Sequence, residues 1–457
     1  MQRNIGAWLV TAQHNISLGD LARLFGKIGF ISFGGPAGQI ALMHEEVVER
    51  RQWVDEDEYL QALNLCHLLP GPEAQQLAAW IGWRLHGVAG GLLAGLLFLI
   101  PGAFVMLGLS ALYVMAMGVD WLQGLFFGIK AAVLAIVVQA LIRIAGKALT
   151  TPAKRGLAAI AFVALFVLHI PFPLLIAGAA IVGAIMAWKA PAWVGLNVTG
   201  ASLRARTVAG ETGAAWLSHL LKTLVFWGAI WAAPMIVIAL TLGQDHILWK
   251  IGAFFAQLAI VTFGGAYAVL AYMAQEAVTG FGWLSAGEMA DGLGLAETTP
   301  GPLILVTQFV GFLAGFRAPE PFGPWTAGLL AAGLTTWVTF APCFLWIFAL
   351  APLMERLRNI AWLQGSLAAI TAAVVGVIAN LSLWFALHVL FGTVGRLEGG
   401  VGAIQGWIWW PIWETINVSA LAIGLLAAAL LFWMKRGIIV TLLACAALGL
   451  GLALLAP

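Results

Sequence analysis

Long apolar runs separated by short polar breaks dominate this chain. Residues 91–117, 121–147, 216–243, 325–350 and 362–390 are each long enough for a membrane helix, which needs about 20 apolar residues. They lack the period-two alternation of barrel strands. Shorter apolar runs follow at 155–169, 172–189, 419–434 and 437–455, the first two meeting in a tight hairpin at His169-Ile170-Pro171-Phe172-Pro173. A second pattern differs. Segments 18–33 and 37–48 are too short to cross alone and flank Gly34-Gly35-Pro36; after a charged connector at 49–58, segments 59–69 and 73–85 flank Pro70-Gly71-Pro72. Proline removes a backbone donor and clashes with the preceding turn, and glycine frees the backbone. Each pair therefore predicts a discontinuous helix or a re-entrant hairpin.

The broken pattern is written twice. Shifted by 230 residues, Phe33-Gly34-Gly35 returns as Phe263-Gly264-Gly265 and Pro70-Gly71-Pro72 as Pro300-Gly301-Pro302. Met43, Glu46, Trp53, Glu58, Leu63 and Leu65 recur as Met273, Glu276, Trp283, Glu288, Leu293 and Leu295, so that 14 of 40 positions are identical without a gap. The second copy predicts broken pairs at 247–279 and 284–316. Duplication with Gly/Pro interruptions at matched places is the usual sequence pointer to the substrate site of a membrane transporter.

Composition settles the solvent. The 457 residues are 62% hydrophobic and 9% charged, with a mean hydropathy of +0.97, against roughly 25% charged residues in soluble domains. The reading is an all-α polytopic membrane protein built from two inverted-topology repeats with discontinuous or re-entrant helices and about 13 membrane segments. Residues 1–189 form the first repeat, 190–246 a polar cytoplasmic linker with Arg204, Arg206 and Glu211 plus one extra span, and 247–457 the second repeat. The Lys and Arg of short loops (Arg143, Lys147, Lys154, Arg155, Lys189, Arg356, Arg358, Lys435, Arg436) all fit the cytoplasmic side. That puts the N-terminus in the cytoplasm and the C-terminus and the 392–414 loop outside, in an inner membrane, with the extra span inverting the second repeat. No cleavable signal is expected at the start.

Several function classes drop out. A net charge of +2 is too small to imply nucleic acid. Cys66, Cys343 and Cys445 are scattered, fit no metal-ligand spacing and are expected as packing residues. His44-Glu45-Glu46 lacks the second His of a zinc-protease helix, and no phosphate-binding loop or nucleophile elbow occurs. No enzyme activity, cofactor or metal is expected.

What remains is anion chemistry at the breaks. Each break starts a new half-helix, near Ala37, Glu73, Ala266 and Leu303, whose N-terminus carries free N–H groups and about half a positive charge. Lys27, Arg84 and Lys130 are ionisable groups in apolar segments, costly there; they are candidate partners for an anion or snorkel to the interface instead. Glu73 caps its helix or gates a proton or anion; Leu303 replaces it in the second copy, where Glu297 stands opposite His67. Glu46 and Glu276 recur and could pair with basic residues, with a solvated interface face the favoured expectation. Gln39, Gln75, Gln76, Thr298, Thr299, Thr307 and Gln308 flank the breaks and could line a cavity. The candidate substrate-binding set is Lys27, Gly34, Gly35, Pro36, Gln39, Pro70, Gly71, Pro72, Glu73, Arg84, Gly264, Gly265, Pro300, Gly301 and Pro302.

The doubled frame of Phe-Gly-Gly, Trp53/Trp283, Glu58/Glu288 and Pro-Gly-Pro resembles the chromate ion transporter family in its long, two-domain form, over nearly the whole chain. The resemblance implies a secondary transporter that exports chromate from the cytoplasm, driven by the proton-motive force or membrane potential, and confers chromate resistance. It implies a small inorganic oxyanion, chromate with sulfate as competitor, and the lipid bilayer as partners; a homodimer is an assembly to test. Alternatives are transport of sulfate or another oxyanion, in either direction, and a passive anion channel. Ala266 stands where the first copy has Pro36, so equal binding by the two halves does not follow.

Overall fold

A computed structural model describes residues 16–33, 35–115, 119–195, 213–261, 263, 266–354, 360–401 and 404–455. Residues 1–15, Gly34, Gly264, Gly265, Arg356 and Arg358, and the linker residues Arg204, Arg206 and Glu211, lie outside this set.

The first half runs α1 (Leu18–Ile31), α2 (Gly35–His44), a wider π-type turn over Glu45–Arg50, α3 (Glu56–Leu68), α4 (Glu73–Met115), α5 (Asp120–Ala148), α6 (Pro152–Phe166) and α7 (Phe172–Lys189). After α8 (Gly213–Thr241), the series returns as α9 (Ile247–Val261), α10 (Ala266–Gln275), a π-type turn over Glu276–Gly280, α11 (Ala286–Thr298), α12 (Val306–Arg317), α13 (Pro324–Leu350), α14 (Ala361–Leu390), α15 (Val418–Ala428) and α16 (Ile438–Leu455). Local chemistry sets the ends. Ser17 caps α1 in a capping box with Asp20, satisfying donors that a helix start leaves unpaired. Thr151 caps α6 and Pro152 takes its first position, so that helix begins earlier than the apolar run at 155–169 predicts; it ends at Phe166, ahead of His169 at φ 48°.

Seven helices among the described residues are long and apolar enough to cross a bilayer: Glu73–Met115, Trp121–Ala148, Phe172–Lys189, Leu220–Thr241, Pro324–Leu350, Ala361–Leu390 and Ile438–Leu455. Ile247–Val261, Leu303–Arg317 and Val418–Trp433 are shorter and apolar. Leu240, Trp188 and Leu455 lie bare at the surface, as expected of side chains facing lipid. The protein is thus an all-α polytopic membrane protein with one small departure. At 392–414, where the pattern predicts no strand, β1 (Val394–Val401) and β2 (Ile404–Pro411) pair antiparallel, Val394 opposite Pro411.

The chain folds into two compact units, each drawing on both halves of the sequence. Unit 1 takes the described residues of 1–108, 205–266 and 299–359, and unit 2 those of 109–204, 267–298 and 360–457. Within unit 2, α5 packs on α15 and α16, and α14 on α6 and α7, so each half's long helix is covered by the other half's last two. Small residues make these crossings: a Cβ on Gly128 would overlap the Cys445 carbonyl, and one on Gly183 that of Gly365. Close approach of small residues is how membrane helices gain packing without a hydrophobic drive.

Unit 1 is built on hairpins. The helix α4 reverses at His86–Gly87, where Gly87 has φ 62°, into arms 73–85 and 88–115. Gly82 meets the Gly90 carbonyl and Gly91 that of Ala79, and Gln75 donates to the Gly95 carbonyl at 2.9 Å. The counterpart is α12 against α13, where Gly311 meets Thr335 and Gly315 meets Ala327 and Ala331. Gly82→Val therefore forces the two arms of α4 apart and should lower stability by about 1–3 kcal/mol, the usual cost of overpacking. Gly146→Ala, whose Cβ meets nothing within 4 Å, should leave it within about 0.5 kcal/mol; thermal melts of detergent-solubilised protein compare the two.

Candidate functional site

Both broken pairs of the first half are re-entrant hairpins. Lys27 on α1 donates to Glu46 Oε1 at 2.9 Å, beyond the end of α2, and Ile16 and Trp53, at the two ends of that pair, line one cavity with Arg51. Arg84, at the end of the first α4 arm, pairs with Glu58 at the start of α3. The chain thus leaves on the side from which it entered. Arms of 10 to 14 residues reach about 15–21 Å at 1.5 Å per residue, short of the roughly 30 Å hydrocarbon core. The Gly/Pro breaks become the hairpin tips.

The tips of opposite halves meet in unit 1. The Gly301 amide donates to the Ser32 carbonyl at 3.0 Å and to Ser32 Oγ at 3.2 Å. Gln39 Nε2 donates to the Gly301 carbonyl and, at 3.4 Å, to that of Ser32. Gly301 adopts φ 85° and Gly71 φ 119°, left-handed conformations open to glycine. Each Pro-Gly-Pro tip sits on the long helix of the other half: a Cβ on Gly102 would overlap the Pro300 carbonyl, while the space beside Gly71 is closed by Cys343 Sγ and Gln76. Gly102 and Cys343 are counterparts, each following the interior proline of its helix, Pro101 or Pro342. Ser32, Gly102 and Cys343 are absent from the predicted set; the matched Pro101 and Pro342 were the signal for the last two.

Buried polar groups gather around these tips. Gln39, Gln75, Gln76, Thr307, Gln308 and Thr339 are all buried. Each keeps an oxygen without a hydrogen-bond partner, a costly state for a group shut off from water. The helix α4 opens directly after Pro72, so its first amides have no acceptor inside the helix. Glu73 stands at this terminus, its Oε1 3.3 Å from His67 Nδ1, so protein charge already serves it. Leu303 holds the matching place in the second half, where Pro302 precedes a 3-10 turn leading into α12, and that terminus carries no carboxylate of its own. The arrangement offers oriented amides and neutral dipoles, suited to a weakly held anion.

The predicted cations lie elsewhere. Arg84 is at a hairpin mouth on Glu58, and Lys130 belongs to unit 2, on Asp291 at 3.2 Å. Lys27 is shared with a cluster. Glu46, expected on a solvated face, is instead buried: its side chain is 2% exposed and takes Lys27, Arg50 at 3.0 Å and Arg51. The Glu46–Arg50 spacing of four, one helical turn, was the visible signal. Burial works against ionising Glu46, but hydrogen bonds from Lys27 and Arg51 outweigh it and hold the carboxyl below its ordinary range. In the second half Gln257, Gly280 and Phe281 replace those three cations, and burial pushes Glu276 up. Both carboxylates lie outside the seven apolar spans. Pro36 sits in the first turn of α2 beside Gly35 at φ 72°, whereas Gly34, Gly264 and Gly265 fall outside the described residues.

Comparison with known proteins adds a family. The sequence profile described as chromate transporter matches residues 19–184 and again 249–450. The chain is 30% identical to a chromate transport protein of Pseudomonas aeruginosa over 424 residues, covering 92% of each chain. It is 27% identical to one of Cupriavidus metallidurans over 368 residues, 80% of this chain and 81% of that one. A probable chromate transport protein of Synechococcus elongatus is 26% identical over 426 residues, 92% of this chain and 96% of its own. No solved structure matches.

The two carboxylates should respond oppositely to neutralisation. Glu46→Gln should lower stability at neutral pH by about 1–3 kcal/mol, the cost of stranding charged partners. That gap should close as pH falls through the depressed carboxyl value, because a lowered folded pKa stabilises only above it. Glu276→Gln should be neutral or stabilising at pH 7, since the ionised form is the disfavoured one there. Thermal melts across pH check both.

Proposed function

This chain belongs to the chromate transporter family, and from that premise we propose that it is a secondary transporter exporting chromate from the cytoplasm across the inner membrane. The relatives are named as transport proteins, which points to a transporter rather than an enzyme. The observation that carries the reading is the joined pair of tips, where Ser32, Gln39 and Gly301 connect the two halves. Contacts there break and re-form if the halves alternate in opening, as inverted repeats do. The inverted orientation itself rests on the Lys and Arg of the short loops.

The chemistry suits a tetrahedral dianion. Amide dipoles and the side chains of Gln39, Gln75, Gln76, Thr307 and Gln308 hold such an ion without neutralising it, so it can leave again. Lys27 supplies positive charge toward the mouth of its hairpin, tempered by Glu46. Gly34, Gly35, Pro36, Pro70, Gly71, Pro72, Glu73, Gly264, Gly265, Pro300 and Pro302 shape the tips, and Arg84 the mouth. An inside-negative potential favours exit of a dianion by roughly 2.3 kcal/mol per charge per 100 mV, so export is the downhill direction for this cargo and would confer chromate resistance. Sulfate has the same shape and charge and is the expected competitor.

Flux of radiolabelled chromate into everted membrane vesicles tests this. An exporter accumulates chromate when the vesicles are energised, and sulfate inhibits. Gln39→Ala should lower the initial rate about ten- to a hundredfold, as expected for one lost hydrogen bond to a charged group, about 1.5–3 kcal/mol. Lys27→Ala and Pro70→Ala should also lower it with membrane insertion intact. No energised accumulation by the wild type overturns the reading, and non-saturating flow without counterflow identifies a passive channel instead.

A further inference from the structure

Unit 2 holds an ionisable cluster that the tip cradle does not use. Lys130 lies within α5, in a candidate span, and its Nζ is 3.2 Å from Asp291 Oδ1 on α11. The Tyr113 hydroxyl donates to Asp291 Oδ2 at 2.9 Å. The Asp291 side chain is 8% exposed and that of Lys130 21%. Taking two charges out of water costs several kcal/mol per ion, and a well-packed apolar pair would serve stability at least as well. Such residues inside a membrane protein mark ion pathways and proton relays.

Neither charge of the pair recurs in the duplication. At the shift of 230, Asp291 corresponds to Gln61. The α5 and α14 helices start 241 residues apart, as Pro101 and Pro342 do, which matches Lys130 with Thr371. The corresponding positions of the other copy are thus both neutral. The groups acting on Asp291 are Lys130 from α5, Tyr113 from α4 and Glu288 one turn earlier on α11. The other elements packed on α11 bring His388 on α14, Cys445 on α16 and Glu276 in the π-type turn; none is among the groups acting on Asp291.

We propose that Asp291 is the carboxylate that binds the coupling proton, with Lys130 as its counter-ion and Tyr113 as the positioning hydroxyl. This rests on the export reading above. Deprotonated, the pair is neutral and tied. Uptake of one proton converts the carboxylate to a carboxylic acid, makes no other bond, and leaves one uncompensated positive charge on Lys130. After releasing the dianion outside, the empty protein takes up that proton and returns with a charge of +1. An inside-negative potential and an inward proton gradient both pull it the same way. Re-pairing of Lys130 with Asp291 expels the proton to the cytoplasm, giving exchange of one proton for one dianion.

Two measurements test the assignment. In proteoliposomes, chromate flux is driven separately by a pH gradient and by a membrane potential. In purified protein, the infrared band of a protonated carboxyl is followed across pH. Asp291→Asn should lose at least tenfold in gradient-driven flux while keeping potential-driven flux and chromate exchange, and should lack the titrating band. Tyr113→Phe should keep the coupling and move its pH midpoint upward, because a hydrogen bond to the carboxylate is lost. Should Asp291→Asn not insert, the neutral double variant Lys130→Met/Asp291→Asn takes its place with the same expectation. A gradient response within twofold of wild type, an unchanged band, or loss of exchange along with every other flux overturns the proposal. Absence of chromate flux in the wild type, with the band present and lost in Asp291→Asn, removes the export reading and leaves a proton site.

Discussion

A backbone hydrogen bond from the Gly301 amide to the Ser32 carbonyl helps to join what the two copies of the motif contribute to unit 1. Both groups are buried at chain breaks, where an unsatisfied donor or acceptor is expensive. Each therefore needs the other, and Gln39 completes the join by donating to both carbonyls. Hairpins whose arms stop short of the far side leave their tips inside the protein. Gly301 and Gly71 exist to let backbone come that close. The gathered glutamines and threonines follow from the same constraint, because exposed backbone dipoles have to be met by side-chain ones.

The two halves share a frame and differ in charge. Glu46 is locked under Lys27, Arg50 and Arg51, while Glu276 at the same place has lost all three. Lys130 and Asp291 are paired where the counterparts are Thr371 and Gln61. Glu73 sits at one Pro-Gly-Pro terminus and Leu303 at the other. A duplicated fold with identical halves would treat its two openings alike. This one sets unequal electrostatics on a shared sequence frame.

Much of this was legible in the residues alone, for physical reasons. Proline and glycine act on the backbone at their own position, so Pro70-Gly71-Pro72 and Pro300-Gly301-Pro302 mark their breaks without help from the fold. Length and apolarity likewise marked the spans, because a bilayer imposes both locally. The choice between a broken helix and a re-entrant hairpin depends on which arm lies beside which, and only Lys27 on Glu46 and Arg84 on Glu58 decide it. Glu46 looked like a surface residue because its cations are strung along three separate positions. Asp291 stands in a Gly- and Ala-rich stretch with its partners on α5 and α4, so nothing near it in sequence announced a charge pair. The strand β1 is rich in glycine and β2 in tryptophan, and the two are stabilised by each other, which a single-strand pattern does not reveal.

The proposed cargo bears on Cys343, a buried thiol beside a hairpin tip. Chromate is an oxidant, and a thiol is the side chain it attacks most readily. Cys343 lies against a hairpin tip yet is fully buried, closed off by Gly71 and Gln76, and a buried structural thiol is inert. Were the proposed cargo to pass this tip, the packing that seats it would also set how far a reducing group stays from its oxidant.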